Sequence, residues 1–129
     1  LLARQLASGL WGETGERGEG HAEASRELRA TARALLELLR AGVTTVHPSY
    51  GAQVRKAIEA LLALAEGLAA RDPAGAELAL AAAWLVASGP RTRGRIERLA
   101  GSHEALTTLR ARLGDEAALR AHAERAASA

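Results

Sequence analysis

Ten consecutive residues near the middle of the chain, Leu78-Ala-Leu-Ala-Ala-Ala-Trp-Leu-Val-Ala87, are apolar without a break. The segments on either side are apolar on one side only. A helix that is apolar all round has to be buried all round, so one-sided neighbours must wrap it. This predicts an all-α fold: an orthogonal helical bundle of five to seven helices around one buried central helix, residues 76–88.

Composition supports that reading. The chain holds 32 Ala and 21 Leu against 4 Val and 2 Ile. Alanine and leucine lose little on entering a helix, whereas β-branched residues favour pleated surfaces. There is no Phe and no Met, and only two Trp. The core must therefore rest on Leu interleaved with Ala, many thin contacts in place of a few large anchors. At 129 residues the chain fits one domain. It opens at Leu1 with no methionine anywhere, which suggests a piece of a larger protein whose active portion lies elsewhere.

Charge narrows the function classes. The net charge is +2, and 16 of 17 basic residues are Arg. Residues 1–70 carry 8 basic and 8 acidic side chains, and the rest carry 9 and 7. Neither part is a basic block, so a nucleic-acid footprint is weak. Cysteine is absent, which excludes disulfides, thiolate metal sites and a Cys nucleophile. The apolar run is about half the length a membrane-spanning helix needs.

Local signals set the element boundaries. Leu2, Leu6 and Leu10 read as a helix stub, and four glycines among charges make residues 12–20 a flexible Gly/Glu loop. A strong helix is expected from about Ala22 to Ala41, with Leu28, Ala32, Leu35 and Leu39 on one face and Gly42 as its stop. The next runs from roughly Tyr50 to Arg71, through Val54, Ile58, Leu61, Ala65 and Leu68. Asp72-Pro73 caps the buried helix. Beyond it come an arginine-rich helix over Thr92–Ala100, a break at Gly101-Ser102, a helix over His103–Leu113, and an Ala-rich last helix after Gly114-Asp115. Ser102 and Asp115 are the expected caps. With Leu119 its main large apolar residue, the last helix is expected to fray or to dock on a missing partner.

No reactive constellation emerges. His21, His47, His103 and His122 have no metal-ligand spacing and read as exposed or capping side chains. No Gly-x-Ser-x-Gly elbow occurs, and Asp72 and Asp115 look like caps. The glycines of the 12–20 loop alternate with Glu, which would repel a phosphate. Neither a catalytic residue, a metal nor a cofactor is expected.

The sharpest positive feature is Arg91-Thr-Arg-Gly-Arg-Ile-Glu-Arg98, in which Arg91, Arg95 and Arg98 fall at i, i+4 and i+7. Such a stripe is either a solvated face in an Arg-biased chain or a binding surface. As a binding surface it favours an acidic protein face, because aromatics do not interleave it and net charge is small. Trp84 belongs to the core. Trp11, beside the glycine loop, needs cover from a helix end or an interface.

Gln5, Gly9 and Trp11 form a Gln-x-x-x-Gly-x-Trp segment, followed by helices at Ala30–Gly42 and Gln53–Leu62. This order resembles one repeat of the squalene-cyclase and prenyltransferase α/α toroids. It is also similar to the helical C-terminal region that follows the von Willebrand factor type A domain in bacterial inter-alpha-trypsin-inhibitor-like proteins. The resemblance implies a stabilising role for Gln5 and Trp11. The acid motif of the cyclases, the Cys-containing zinc set of the prenyltransferases and the Asp-x-Ser-x-Ser adhesion motif are all missing.

The expected function is a non-enzymatic interaction or scaffold domain accessory to a larger protein, with Gln5, Trp11, Arg91, Arg95 and Arg98 as recognition residues. Its partner would be another protein or an adjacent domain. An alternative is a small-molecule sensor with a cavity around Leu61, Trp84 and Leu109. Arg-mediated nucleic-acid binding is the weakest alternative.

Overall fold

The computed structural model describes residues 21–87 and 89–128; the stub and the 12–20 loop lie outside them. Six helices follow one another: α1 (His21–Arg40), α2 (Gly51–Leu68), α3 (Pro73–Val86), α4 (Pro90–Ser102), α5 (Thr107–Arg112) and α6 (Glu116–Ser128), with a 3₁₀ turn, Glu104–Leu106, before α5. No strand occurs among the described residues. The chain is an all-α bundle.

Helix α3 is its axis. It packs on α1, α2, α4, α6 and the 3₁₀ turn. Leu78 through Trp84 are all buried, and Ala81, Ala82 and Ala83 have no exposed surface. The one-sided faces meet it as the spacing predicts. Leu28, Ala32 and Leu35 of α1 and Val54, Ile58, Leu61, Ala65 and Leu68 of α2 are buried. Each fully buried Leu contributes roughly 1.5–3 kcal/mol of transfer free energy. None of the described helices is long and apolar enough to cross a membrane.

Capping follows local chemistry. Gly42, at φ +80°, ends α1. The N–H of Val43 bonds the Leu38 carbonyl (2.8 Å) and that of Gly42 the Leu39 carbonyl (3.0 Å), the paired bonds of a Schellman stop. The Asp72 carboxylate accepts from the Gly75 N–H at 3.0 Å, with Pro73 opening α3. Asp115 accepts from the Ala118 N–H at 3.2 Å.

Two expectations need correction. Helix α4 does not break at Gly101-Ser102. The Ser102 hydroxyl donates to the Leu99 carbonyl, continuing the helix instead of capping the next one. The break falls at His103, where the backbone is extended (φ −127°, ψ 126°). The expected His103–Leu113 helix is accordingly a 3₁₀ turn plus the short α5. The last helix, for its part, docks within the chain. Leu119 and Ala123 are buried, α6 packs on α3, and Arg33 Nε of α1 donates to the Ala127 carbonyl (3.1 Å).

Candidate functional site

Helix α4 begins at Pro90 after Gly89, which supplies no side-chain cap, and its first turn holds no acidic residue. Arginines therefore crowd the positive end of the helix dipole, a local disadvantage. Their fates differ, because successive helical residues point about 100° apart.

Arg93 turns inward. Its guanidinium carbon lies 4.7 Å from the centroid of the Trp84 ring. Nε donates to the Ala87 carbonyl (3.0 Å) and Nη2 to the Trp84 carbonyl (3.2 Å). Nη2 also meets Glu116 of α6 at 3.0 Å. Helix α3 has no basic residue in its own last turn, so Arg93 supplies the cation that its C-terminal carbonyls favour. The Trp84 indole N–H itself is buried and finds no hydrogen-bond partner among the described residues.

Arg91, Arg95 and Arg98 turn outward, as the stripe requires. All three, with Thr92, line an open groove of about 500 Å³ whose opposite wall carries Glu59 of α2. A second hollow, about 260 Å³, continues it past Glu66, Arg95, Arg98, Leu99 and Ser102. Arg95 spans the groove, 2.9 Å from Glu59 and 4.0 Å from Glu66. Arg91 and Arg98 make no ion pair with any described residue. A third hollow, about 370 Å³, lies on the far flank of α4 between Gly94, Glu97, Arg98, Gly101 and Arg110. Arg98 belongs to all three.

Gln5 and Trp11 lie outside the described residues, so they are not placed relative to this groove. Leu61, Trp84 and Leu109, around which a sensor cavity was expected, line none of the three hollows. All three are buried in the hydrophobic core.

Two polar clusters were not legible as such. In the first, Asp72 takes Arg29 Nη2 at 2.7 Å and Nε at 3.3 Å, together with the Ser25 hydroxyl. Burial alone would raise the Asp72 pKa. The hydrogen bonds from Arg29, Ser25 and the Gly75 N–H outweigh it and hold the carboxyl below its ordinary value. In the second, His122 of α6 bonds Glu77 of α3 through Nε2 and Arg112 through Nδ1, the latter at 2.8 Å. A guanidinium can only donate, so Nδ1 accepts and Nε2 carries the proton. His122 is thus a half-buried tie between helices, not the exposed side chain the sequence suggested. His47 does cap: its Nδ1 accepts from the Ser49 and Tyr50 N–H groups, both at 3.1 Å. No three metal-ligating side chains come together among the described residues.

Set against protein-family models, curated proteins and solved structures, the chain finds no match in any of the three comparisons.

Proposed function

We propose that the chain is a non-enzymatic protein-interaction or scaffold domain, accessory to a larger protein, and that the outer face of α4 is its recognition surface. One observation carries the reading. Most arginines are committed within the chain: Arg29 to Asp72, Arg33 to α6, Arg55 to the Thr45 carbonyl, Arg93 to α3, Arg112 to His122. Of the arginines whose guanidiniums make neither an ion pair nor a hydrogen bond with a described residue (Arg71, Arg91, Arg98, Arg110 and Arg125), Arg91 and Arg98 share one groove. A partner that brings carboxylates to them recovers charge-assisted hydrogen bonds the fold itself does not make.

The opposite wall says which anion. Glu59 and Glu66 would repel a phosphate backbone running along the groove, whereas a protein face can set acids against α4 and bases against α2. Mixed charge of this kind confers specificity and register more than raw affinity.

The test is fluorescence anisotropy with a short Glu-rich helical peptide and with a DNA duplex, on the parent and on the R91E/R98E variant. Arg95 is left alone because it holds α2. Reversing both charges should weaken the peptide roughly tenfold or more, the equivalent of about 1.4 kcal/mol. The melting temperature should stay within ~2 °C, since exposed charges contribute little to stability. Equal peptide binding by parent and variant refutes the proposal. Tighter binding to the duplex, falling steeply with salt, replaces it with the nucleic-acid reading.

A further inference from the structure

The third hollow, on the flank of α4 away from α2, has a construction the groove lacks. Its floor is helix backbone. Gly94 and Gly101 sit seven residues apart on a 13-residue helix, where each costs about 1 kcal/mol relative to Ala. Neither has a positive φ. A Cβ at Gly94 would stand 3.6 Å from the Arg98 guanidinium, and one at Gly101 would stand 3.3 Å from Nη1 of Arg110. Gly101 thus lets the Arg110 guanidinium lie close over the helix surface, while the Arg98 guanidinium, which a Cβ at Gly94 would meet only at ordinary contact distance, lines the same hollow.

Neither guanidinium has a carboxylate. The guanidiniums of Arg98 and Arg110 make no hydrogen bond or ion pair with any described residue. Glu97 lies in the same hollow and is exposed, yet it pairs with neither. Two like charges lining one cavity repel until an anion comes between them.

We propose that this hollow is a carboxylate-binding cradle, in which Arg98 of α4 and Arg110 of α5 together take one Asp or Glu side chain of the partner. The inference rests on the recognition role of α4 and extends its surface across to α5. Charge matching selects the ligand. The lining carries two positive charges and one negative, so a monoanion leaves it neutral. A dianionic phosphoryl group would leave it negative and stand against Glu97. The hollow, at about 370 Å³, admits a side chain with its stem, and Glu97 can accept a hydrogen bond from an N–H group beside the carboxylate.

The experiment uses the full chain and the same Glu-rich peptide, a copy with phosphoserine in place of its central Glu, and sodium acetate. Acetate titration should move the Nε–H resonances of Arg98 and Arg110 together. R110Q should lower peptide affinity about fivefold, the upper end of what one exposed ion pair contributes. G101A should also lower it, because the new methyl displaces the Arg110 guanidinium, while helix stability stays level or rises. The cradle is overturned if R110Q and G101A both bind the peptide within twofold of the parent. It is equally overturned if the phosphoserine copy binds tighter than the Glu peptide. Loss of binding in R91E/R98E with none in R110Q removes the cradle and leaves the recognition role of the groove standing; binding indifferent to all of these substitutions removes both.

Discussion

Replacing Arg93 by Ala should destabilise the bundle far more than removing any other arginine of α4. The side chain is about one-third exposed (31%), so each of its contacts has to be discounted for solvent. A guanidinium over an indole is worth about 0.5–1 kcal/mol at exposed sites and about 2 kcal/mol when desolvated. Two charge-assisted bonds close the end of α3, and a cation at a helix C-terminus adds about 0.3–1 kcal/mol. The Glu116 pair is exposed and adds at most ~1 kcal/mol. These contributions share one group and do not add. A total of about 2–3 kcal/mol is reasonable, and at roughly 3–5 °C per kcal/mol for a domain of this size it lowers the melting temperature by roughly 6–15 °C. R93K keeps the charge but loses the fork that reaches two carbonyls at once, so it should lose about half as much. Melting is followed by far-ultraviolet circular dichroism and by Trp84 emission in a W11F background, where Trp84 is the single indole. If R93A melts within ~2 °C of the parent, or R93K cannot be told from it, Arg93 is not the clamp described here. R93A should also leave peptide binding unchanged, which separates the inward arginine from the outward ones.

Three further outcomes test the packing and the caps. Ala82 has no exposed surface, so A82L overpacks the wrapped helix and should cost at least 1–3 kcal/mol in chemical denaturation; tolerance would mean that α3 has an open side. A Cβ at Gly51 would stand 2.5 Å from the Thr45 carbonyl oxygen, whereas one at Gly67 would meet nothing within 4 Å. G51A should therefore lower the melting temperature although Ala favours a helix, and G67A should raise it by the equivalent of about 0.5–1 kcal/mol; equal signs would contradict the close approach. Asp72, held below its ordinary pKa of 3.8, stabilises the fold fully above that value, and the contribution disappears as pH falls through the lowered one. D72A should cost about 1–2 kcal/mol at neutral pH and flatten the acid limb of the stability profile; an unchanged limb would assign acid unfolding to other carboxylates.

Much of this architecture is local and was open to reading from the sequence. Asp72-Pro73 starts a helix and Gly42 stops one because a cap concerns residues three or four positions apart. The burial of α3 follows from having no polar side to expose. The reading failed where the outcome depends on tertiary neighbours. Gly101-Ser102 has the composition of a helix stop, but Ser102 finds the Leu99 carbonyl and Arg110 settles over Gly101. Ser25 and Arg29 reach Asp72, and Glu77 reaches His122, from more than forty positions away. In a chain with sixteen arginines, no pattern says which of them will meet Asp72.

Arg93 is different, since a signal for it existed. The spacing that places Arg91, Arg95 and Arg98 on one stripe rotates Arg93 about 200° from Arg91, onto the side of Ile96 and Ala100. Both of those are buried. A cation on a buried face must find carbonyls or an aromatic ring, and the end of α3 offers both at Trp84 and Ala87. The same wheel therefore divides the arginines of α4 into Arg93, which fastens the central helix, Arg95, which ties α4 to Glu59 of α2, and Arg91 and Arg98, which make no ion pair with a described residue. The cost of crowding cations at a helix start is recovered inside the chain at Arg93 and Arg95; at Arg91 and Arg98 it is recovered only when another molecule supplies the anion, which is why these two positions, and not the most tightly held arginine, mark the surface to test.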